Sequence, residues 1–198
     1  ADGLMLATTE EGNVFASPLV AGADGRNSLV RRQAGISTNA WSYDQAAVVC
    51  SFAHSRPHRG VSTELHRRTG PLTVVPMPTS ESGNMSRLVW VETPAEAQRL
   101  VGLDEAAFLA ELSAHISGLL GTLHSVSPRK TFPLSGQTAT VLAKGRSALI
   151  GEAGHVMPPI GAQGLNLSFR DAATLAELAA DAKARGVAFE KAVFPWAA

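Results

Sequence analysis

The chain has 198 residues, enough to bury one full core or two small ones. Its 45% hydrophobic and 17% charged residues are the composition of a soluble globular protein and exclude a disordered or fibrous one. Seventeen basic residues against 17 acidic leave no net charge, which argues against a broad nucleic-acid footprint and excludes the chain from the strongly basic binders. Cys50 is the sole cysteine, so no intrachain disulfide can form and a reducing compartment fits. No apolar run approaches the ~18 residues that span a bilayer, and the first residues do not read as a secretory signal. A cytoplasmic α+β or α/β protein is expected.

Residues 4–7 and 18–21 read as short strands joined by a hairpin around Glu10, Glu11, Gly12 and Asn13. Asp24-Gly25 follows as a tight turn, and residues 26–34 read as a short helix. Residues 41–55 are β-rich and partly alternating. Residues 61–67, 71–77 and 86–92 are expected to be three more strands, separated by turns at Gly70-Pro71 and Ser82-Gly83-Asn84. Consecutive strands on short turns imply an antiparallel sheet. His54 and His58, four apart, resemble a metal pair, but Pro57 breaks any helical face between them and no third ligand is spaced nearby, so no metal is assigned.

Thr93-Pro94-Ala95-Glu96 is a helix start: Thr93 as N-cap, Pro94 at the first position and Glu96 closing a capping box. Asp104 caps a second helix expected to run to about Leu120, with Phe108, Leu112, Ile116 and Leu119 at helical spacing as a packing stripe and His115 at its edge. Residues 125–134 and 138–143 read as strands about a turn at Ser135-Gly136, and residues 144–150 as a strand leading into the richest stretch of the chain.

That stretch, Ile150 to Asp171, passes from an apolar strand through a loop with Pro158, Pro159, Gly161 and Gly164 into an amphipathic helix from Leu165. Leu165, Phe169, Ala172, Leu175, Ala176 and Ala179 are taken as its apolar face, and Gly186 as its end. A strand, a glycine-rich loop and a helix start can turn backbone N–H groups toward an electron-rich ligand. An ordinary strand-to-helix crossover has the same pattern.

The stretch resembles the second FAD-binding motif of the flavin-dependent aromatic hydroxylases, through Gly151, His155, Pro158, Pro159, Gly161, Gln163, Gly164, Asn166 and Asp171. About 125 residues upstream, Asp24, Gly25, Arg26, Ser28 and Arg31 resemble the same family's Asp-Gly motif. The segment 54–78 resembles its ubiquinone-biosynthesis branch. The resemblance implies an incomplete FAD-binding, Rossmann-like part (residues 1–36 and 143–198) around an antiparallel-sheet substrate domain (residues 37–142). It implies FAD as cofactor, reduced nicotinamide nucleotide, NAD(P)H, as co-substrate, and ring hydroxylation with oxygen in ubiquinone biosynthesis. The implied cofactor-binding residues are Asp24, Gly25, Arg26, Gly151, Glu152, His155, Pro158, Pro159, Gly161, Gln163, Gly164, Leu165 and Asn166, with Asp24 and Arg26 near the flavin and the nicotinamide nucleotide entry. No side-chain acid or base is nominated, because the cofactor carries the chemistry.

The sequence departs from the family pattern at Glu152, where an aspartate is usual, at Gly154 in place of alanine, and at Ser168 in place of glycine. No Gly-x-Gly-x-x-Gly occurs, so the chain is expected to be the middle segment of a longer protein, to hold FAD weakly or not at all by itself, and to self-associate through uncovered apolar surface. The implied substrate is a small aromatic or polyprenylated phenol, which leaves peripheral membrane contact open. The readings left beside the hydroxylase are a related flavin reductase or halogenase, and a binding or assembly module that keeps the fold without the cofactor.

Overall fold

The structure is a computed structural model that describes residues 3–159, 161 and 163–193. The chain divides into two compact units, one made of Ala1–Trp41 with Ser135–Ala198 and the other of Ser42–Leu134.

In the first unit, β1 (Met5–Thr8) and β2 (Val14–Ser17) form an antiparallel hairpin. The partner of the first strand is therefore 14–17, not 18–21, because the turn residues at 9–13 bring Val14 opposite Thr8. β3 (Val20–Gly22) and a single-turn helix α1 (Leu29–Gln33) follow. Helix α1 starts later than its sequence pattern implies, because Ser28 is its N-cap and accepts the Arg31 N–H at 2.9 Å.

β4 (Thr38–His54) carries the chain into the second unit, followed by β5 (Thr63–Leu65), β6 (Leu72–Ser80) and β7 (Gly83–Glu92). These pair antiparallel in the order β4-β7-β6-β5, as the short turns demand. Helices α2 (Pro94–Gly102) and α3 (Glu105–Ile116) come next. Thr93 Oγ1 accepts the Glu96 N–H at 3.4 Å and Asp104 Oδ1 accepts the Ala107 N–H at 2.8 Å, so both expected caps form. The Glu96 carboxylate does not reach back to close a capping box; it takes Arg99 one turn on, at 2.6 Å. Helix α3 stops at Ile116 because Ser117 adopts a left-handed conformation, φ +47°, leaving Leu119 40% exposed and off the stripe. Phe52, Leu88 and Trp90 of the sheet and Leu100, Phe108 and Leu112 of the helices close this unit's main core, all fully or almost fully buried.

β8 (Leu123–Val126) adds to the C-terminal half of β4, and β9 (Lys130–Ala139) returns the chain to the first unit. β9 runs straight through Ser135-Gly136, where the sequence reads as a turn. Gly136 is needed for a different reason: a Cβ there would lie 2.2 Å from the Trp41 indole packed on it. Then come β10 (Ala143–Lys144), β11 (Ser147–Leu149) and β12 (His155–Val156). β10 and β11 make a hairpin and β11 lies parallel to β3, giving the order β10-β11-β3, while β12 pairs with β9.

The long helix α4 (Gln163–Ala184) begins two residues earlier than the sequence pattern implies, and α5 (Phe189–Val193) follows Gly186. Its packed stripe is Asp171, Leu175, Leu178 and Ala182, spaced i, i+4, i+7, i+11. Leu165 and Phe169, assigned to the apolar face from the sequence, are 65% and 64% exposed. At about 3.6 residues per turn Leu165 lies about 80° and Phe169 about 120° round the helix from Leu175, in the direction away from Asp171, Leu178 and Ala182, so both fall off the packed stripe.

Candidate functional site

β3 and β11 run side by side in the same direction, with Val20 opposite Ser147 and Gly22 opposite Leu149. Their carboxyl ends therefore release two loops next to each other, one into Asp24-Gly25 and the other into Gly151–His155. The Ile150 N–H donates to the Gly22 carbonyl at 2.9 Å and keeps the two exits in register. Gly22 is required by packing, because a Cβ there would come within 2.9 Å of Val30 Cβ on α1.

At the first exit, Asp24 Oδ2 accepts the N–H groups of Leu29 at 2.6 Å and Val30 at 3.1 Å. Burial pushes this carboxyl up, but the hydrogen bonds from Ser28, Val30 and Leu29 outweigh it and hold the pKa below the ordinary carboxylate value. Gly25 takes φ +77° with open space where a Cβ would point. Arg26 is exposed, and its Nη2 donates to Ser135 Oγ at 2.5 Å. Arg31 is 6% exposed and ties the two exits together: Nη1 donates to the Ala153 carbonyl at 2.7 Å and Nη2 to the Arg26 carbonyl at 2.8 Å.

At the second exit, Gly151–Ala153 forms one turn of 3-10 helix. Gly151 has φ +58°, and a Cβ on it would lie 2.8 Å from Ser168 Oγ, so both conformation and space demand glycine. Gly154 is equally confined, with Leu142 Cδ2 at 2.6 Å from its would-be Cβ. Asp171 Oδ2 reaches across from α4 and accepts the Gly151 N–H at 2.9 Å and the His155 Nε2–H at 2.6 Å. Between these anchors Ala153 and Gly154 are buried, while Glu152 is exposed.

Ala23, Gly25, Ile150, Gly151, Glu152 and Ser168 line a cavity of about 300 Å³. The structure thus brings Gly25, Gly151 and Glu152 to one cavity and sets Asp24 and Arg26 beside it in structural bonds. His155 faces α4 rather than the cavity. Pro158 is half-buried, while Pro159, Gly161, Gln163, Gly164, Leu165 and Asn166 lie exposed along the approach to α4 and its first turn. Gln163 Nε2 donates to the Gly161 carbonyl at 3.2 Å, bracing the loop. Ile160 and Ala162 fall outside the described residues.

The residues around this cavity suit the ribityl-flavin half of FAD. Gly25 and Gly151 leave backbone exposed in the cavity's lining, and the Glu152 carboxylate, without a partner among the described residues, can accept hydrogen bonds from the hydroxyls of a polyol chain. The start of the 22-residue helix α4 supplies a positive dipole end beside the loop. Arg31, Ser168 and Asp171 were not among the binding residues read from the sequence. Asp171 had a legible signal, a carboxylate on the spacing of Leu175, Leu178 and Ala182. In the second unit His54 Nδ1–H donates to the Arg56 carbonyl at 2.8 Å and its Nε2 accepts from Ser86 Oγ at 3.0 Å. His58 bonds the Met77 carbonyl.

Loops from adjacent parallel strands, closing on glycine turns at a helix start, define an α/β protein of the nucleotide-cofactor-binding class. The chain belongs to the FAD binding domain family, matching it over residues 4–188. It is 40% identical over 171 residues to the ubiquinone hydroxylase UbiL of Rhodospirillum rubrum, covering 86% of this chain and 39% of the relative. It is 31% identical over 188 residues to the 3-demethoxyubiquinol 3-hydroxylase of Escherichia coli K12, covering 95% and 47%. The solved structure of Pseudomonas aeruginosa PqsL in complex with 2-aminobenzoylacetate shares the fold at a TM-score of 0.77 and 24% identity, covering 97% of this chain and 55% of that one. The chain thus spans less than half the length of these two curated relatives.

Proposed function

We propose that this chain is part of an FAD-dependent monooxygenase that hydroxylates the aromatic ring of a ubiquinone precursor, with reduced nicotinamide nucleotide and oxygen as co-substrates. The observation that carries the reading is the meeting of the two motifs, 125 or so residues apart, at one cavity lined by Gly25, Gly151 and Glu152. The family membership and the ubiquinone-hydroxylase relatives support it.

When bound, FAD supplies the redox chemistry, accepting a hydride and activating oxygen. The residues of this chain bind and orient. Gly25 and Gly151 let the main chain approach the cofactor closely. Glu152 would accept hydrogen bonds from the ribityl hydroxyls, one methylene further out than the family's aspartate. The positive end of α4 would favour negative charge on a cofactor held there. Pro158 and Pro159 stiffen the chain on its way to α4. A phenol carrying a polyprenyl tail fits the reading, with the protein at a membrane surface. Among the described residues no helix is long and apolar enough to cross a membrane.

The test is an absorbance spectrum after incubation with FAD and desalting. Retained absorbance near ~450 nm, that of oxidised flavin, supports the reading and is expected to fall in Glu152→Ala. A colourless protein that also fails to quench FAD fluorescence in solution counts against flavin binding by this chain.

A further inference from the structure

Asp171 is a carboxylate on the packed stripe of α4, its side chain 14% exposed. A charge in such a place is costly unless it is hydrogen-bonded. Its two donors are notable for where they sit. Both come from one five-residue turn, the Gly151 N–H at 2.9 Å and the His155 Nε2–H at 2.6 Å, and both land on the same oxygen, Oδ2. The first and last residues of the turn are thereby fixed to one atom of a rigid helix. Between them the backbone has little freedom left, and Arg31 holds the far side through the Ala153 carbonyl at 2.7 Å. Ala153 and Gly154 are buried within the turn, and Glu152 is the one side chain it presents outward, at the edge of the 300 Å³ cavity.

We propose that Asp171 is a positioning residue for cofactor binding: it closes the Gly151–His155 turn onto α4 and so aims Glu152 into the cavity. The proposal rests on the flavin reading given above. Asp171 touches no cofactor on this account; it acts through Glu152. Replacing it by alanine leaves the Gly151 amide and the His155 ring without their acceptor and frees the turn. A charge-assisted pair of this kind carries enough energy that the loss of FAD affinity is expected to be roughly ten- to hundredfold.

Two measurements on the 198-residue chain test it. Amide hydrogen exchange in the absence of flavin is expected to show protection across residues 150–157, lost in Asp171→Ala, largely kept in Asp171→Asn, which retains an acceptor oxygen, and kept in Leu175→Ala. The last variant lies one turn along the same helix and weakens packing against Ala143 and Ala148 without touching the turn. Unchanged exchange in Asp171→Ala overturns the clamp. FAD titration by fluorescence quenching is then run on Asp171→Ala, Glu152→Gln and the double variant. If Asp171 acts through Glu152, the second change costs little once the first is made, and the double variant binds about as weakly as the weaker single one. Fully multiplicative losses overturn the positioning role, since general destabilisation would add in that way. A wild-type chain that takes up no FAD while keeping its protection overturns flavin binding by this chain, and with it the cofactor half of the proposal, whatever the variants do.

Discussion

Gly151→Ala isolates the demand that the second motif makes on one atom. Gly151 sits at φ +58°, where an L-residue pays roughly 1–2 kcal/mol for the left-handed conformation. The added methyl also meets Ser168, at 2.8 Å from Oγ and 3.2 Å from Cβ. Ser168 Oγ donates to the Gly164 carbonyl at 2.9 Å, so turning it aside gives up a hydrogen bond of about 1 kcal/mol. The two costs together come to about 2–3 kcal/mol, which for a chain of this size lowers the melting temperature by roughly 5–10 °C. Urea unfolding followed by circular dichroism measures the first figure and a thermal scan the second. The clash and the backbone cost can be separated with Ser168→Gly. In that background Gly151→Ala should cost about 1 kcal/mol less, because the hydroxyl is gone and only the backbone conformation remains unfavourable. A Gly151→Ala variant within 0.5 kcal/mol of wild type, or an equal cost in both backgrounds, would refute the argument that turn and helix are in contact there.

Four other outcomes are expected. Burial pushes the Cys50 thiol up to about 12, and its side chain is 1% exposed, so a thiol reagent at pH 8 should leave the native chain unmodified and label it once urea unfolds it. His54 and His115 both have folded-state pKa values lowered chiefly by burial, with the His58 and His124 rings acting on the first and the Arg67 guanidinium on the second. A lowered histidine value favours the neutral form in the fold, so stability should be intact above pH ~6.5 and fall as the pH drops below it. The dependence should be shallower in His54→Gln and His115→Gln, read as urea midpoints against pH. Trp90→Phe removes the indole N–H bond to Glu92 Oε1, 3.0 Å, and shrinks the aromatic face over which the Arg67 guanidinium lies, 5.3 Å away; a loss of roughly 1–3 kcal/mol in urea unfolding is expected, with no change in FAD titration. Finally, Leu6 and Phe15 of the β1-β2 hairpin are 65% and 59% exposed, and self-association by light scattering is expected to weaken in Phe15→Ser.

What could be read from the sequence was what is local. The caps at Thr93 and Asp104 and the Phe108-Leu112-Ile116 stripe depend on residues within a turn or two of each other, and the structure has them as expected. The segment at Ser135-Gly136 failed for the opposite reason. Its glycine answers to Trp41, nearly a hundred residues away in the chain, and nothing in the neighbouring residues distinguishes a glycine that turns the chain from one that makes room for an indole. The same division runs through the site. Gly25 was legible as a tight turn and Gly151 through the family resemblance, and both have positive φ. The roles of the supports were not. Arg31 was visible as a member of the Asp-Gly motif, but among the described residues its guanidinium bonds carbonyl oxygens, which every residue carries, so no sequence partner marks what it holds. Asp171 was visible as a motif member, but its role depends on which side of α4 is packed, and counting Leu165 and Phe169 on that side put the stripe on the wrong face. With the stripe at Asp171, Leu175, Leu178 and Ala182, the carboxylate faces the Gly151–His155 turn, and its retention on a packed surface follows from the two donors that meet it there.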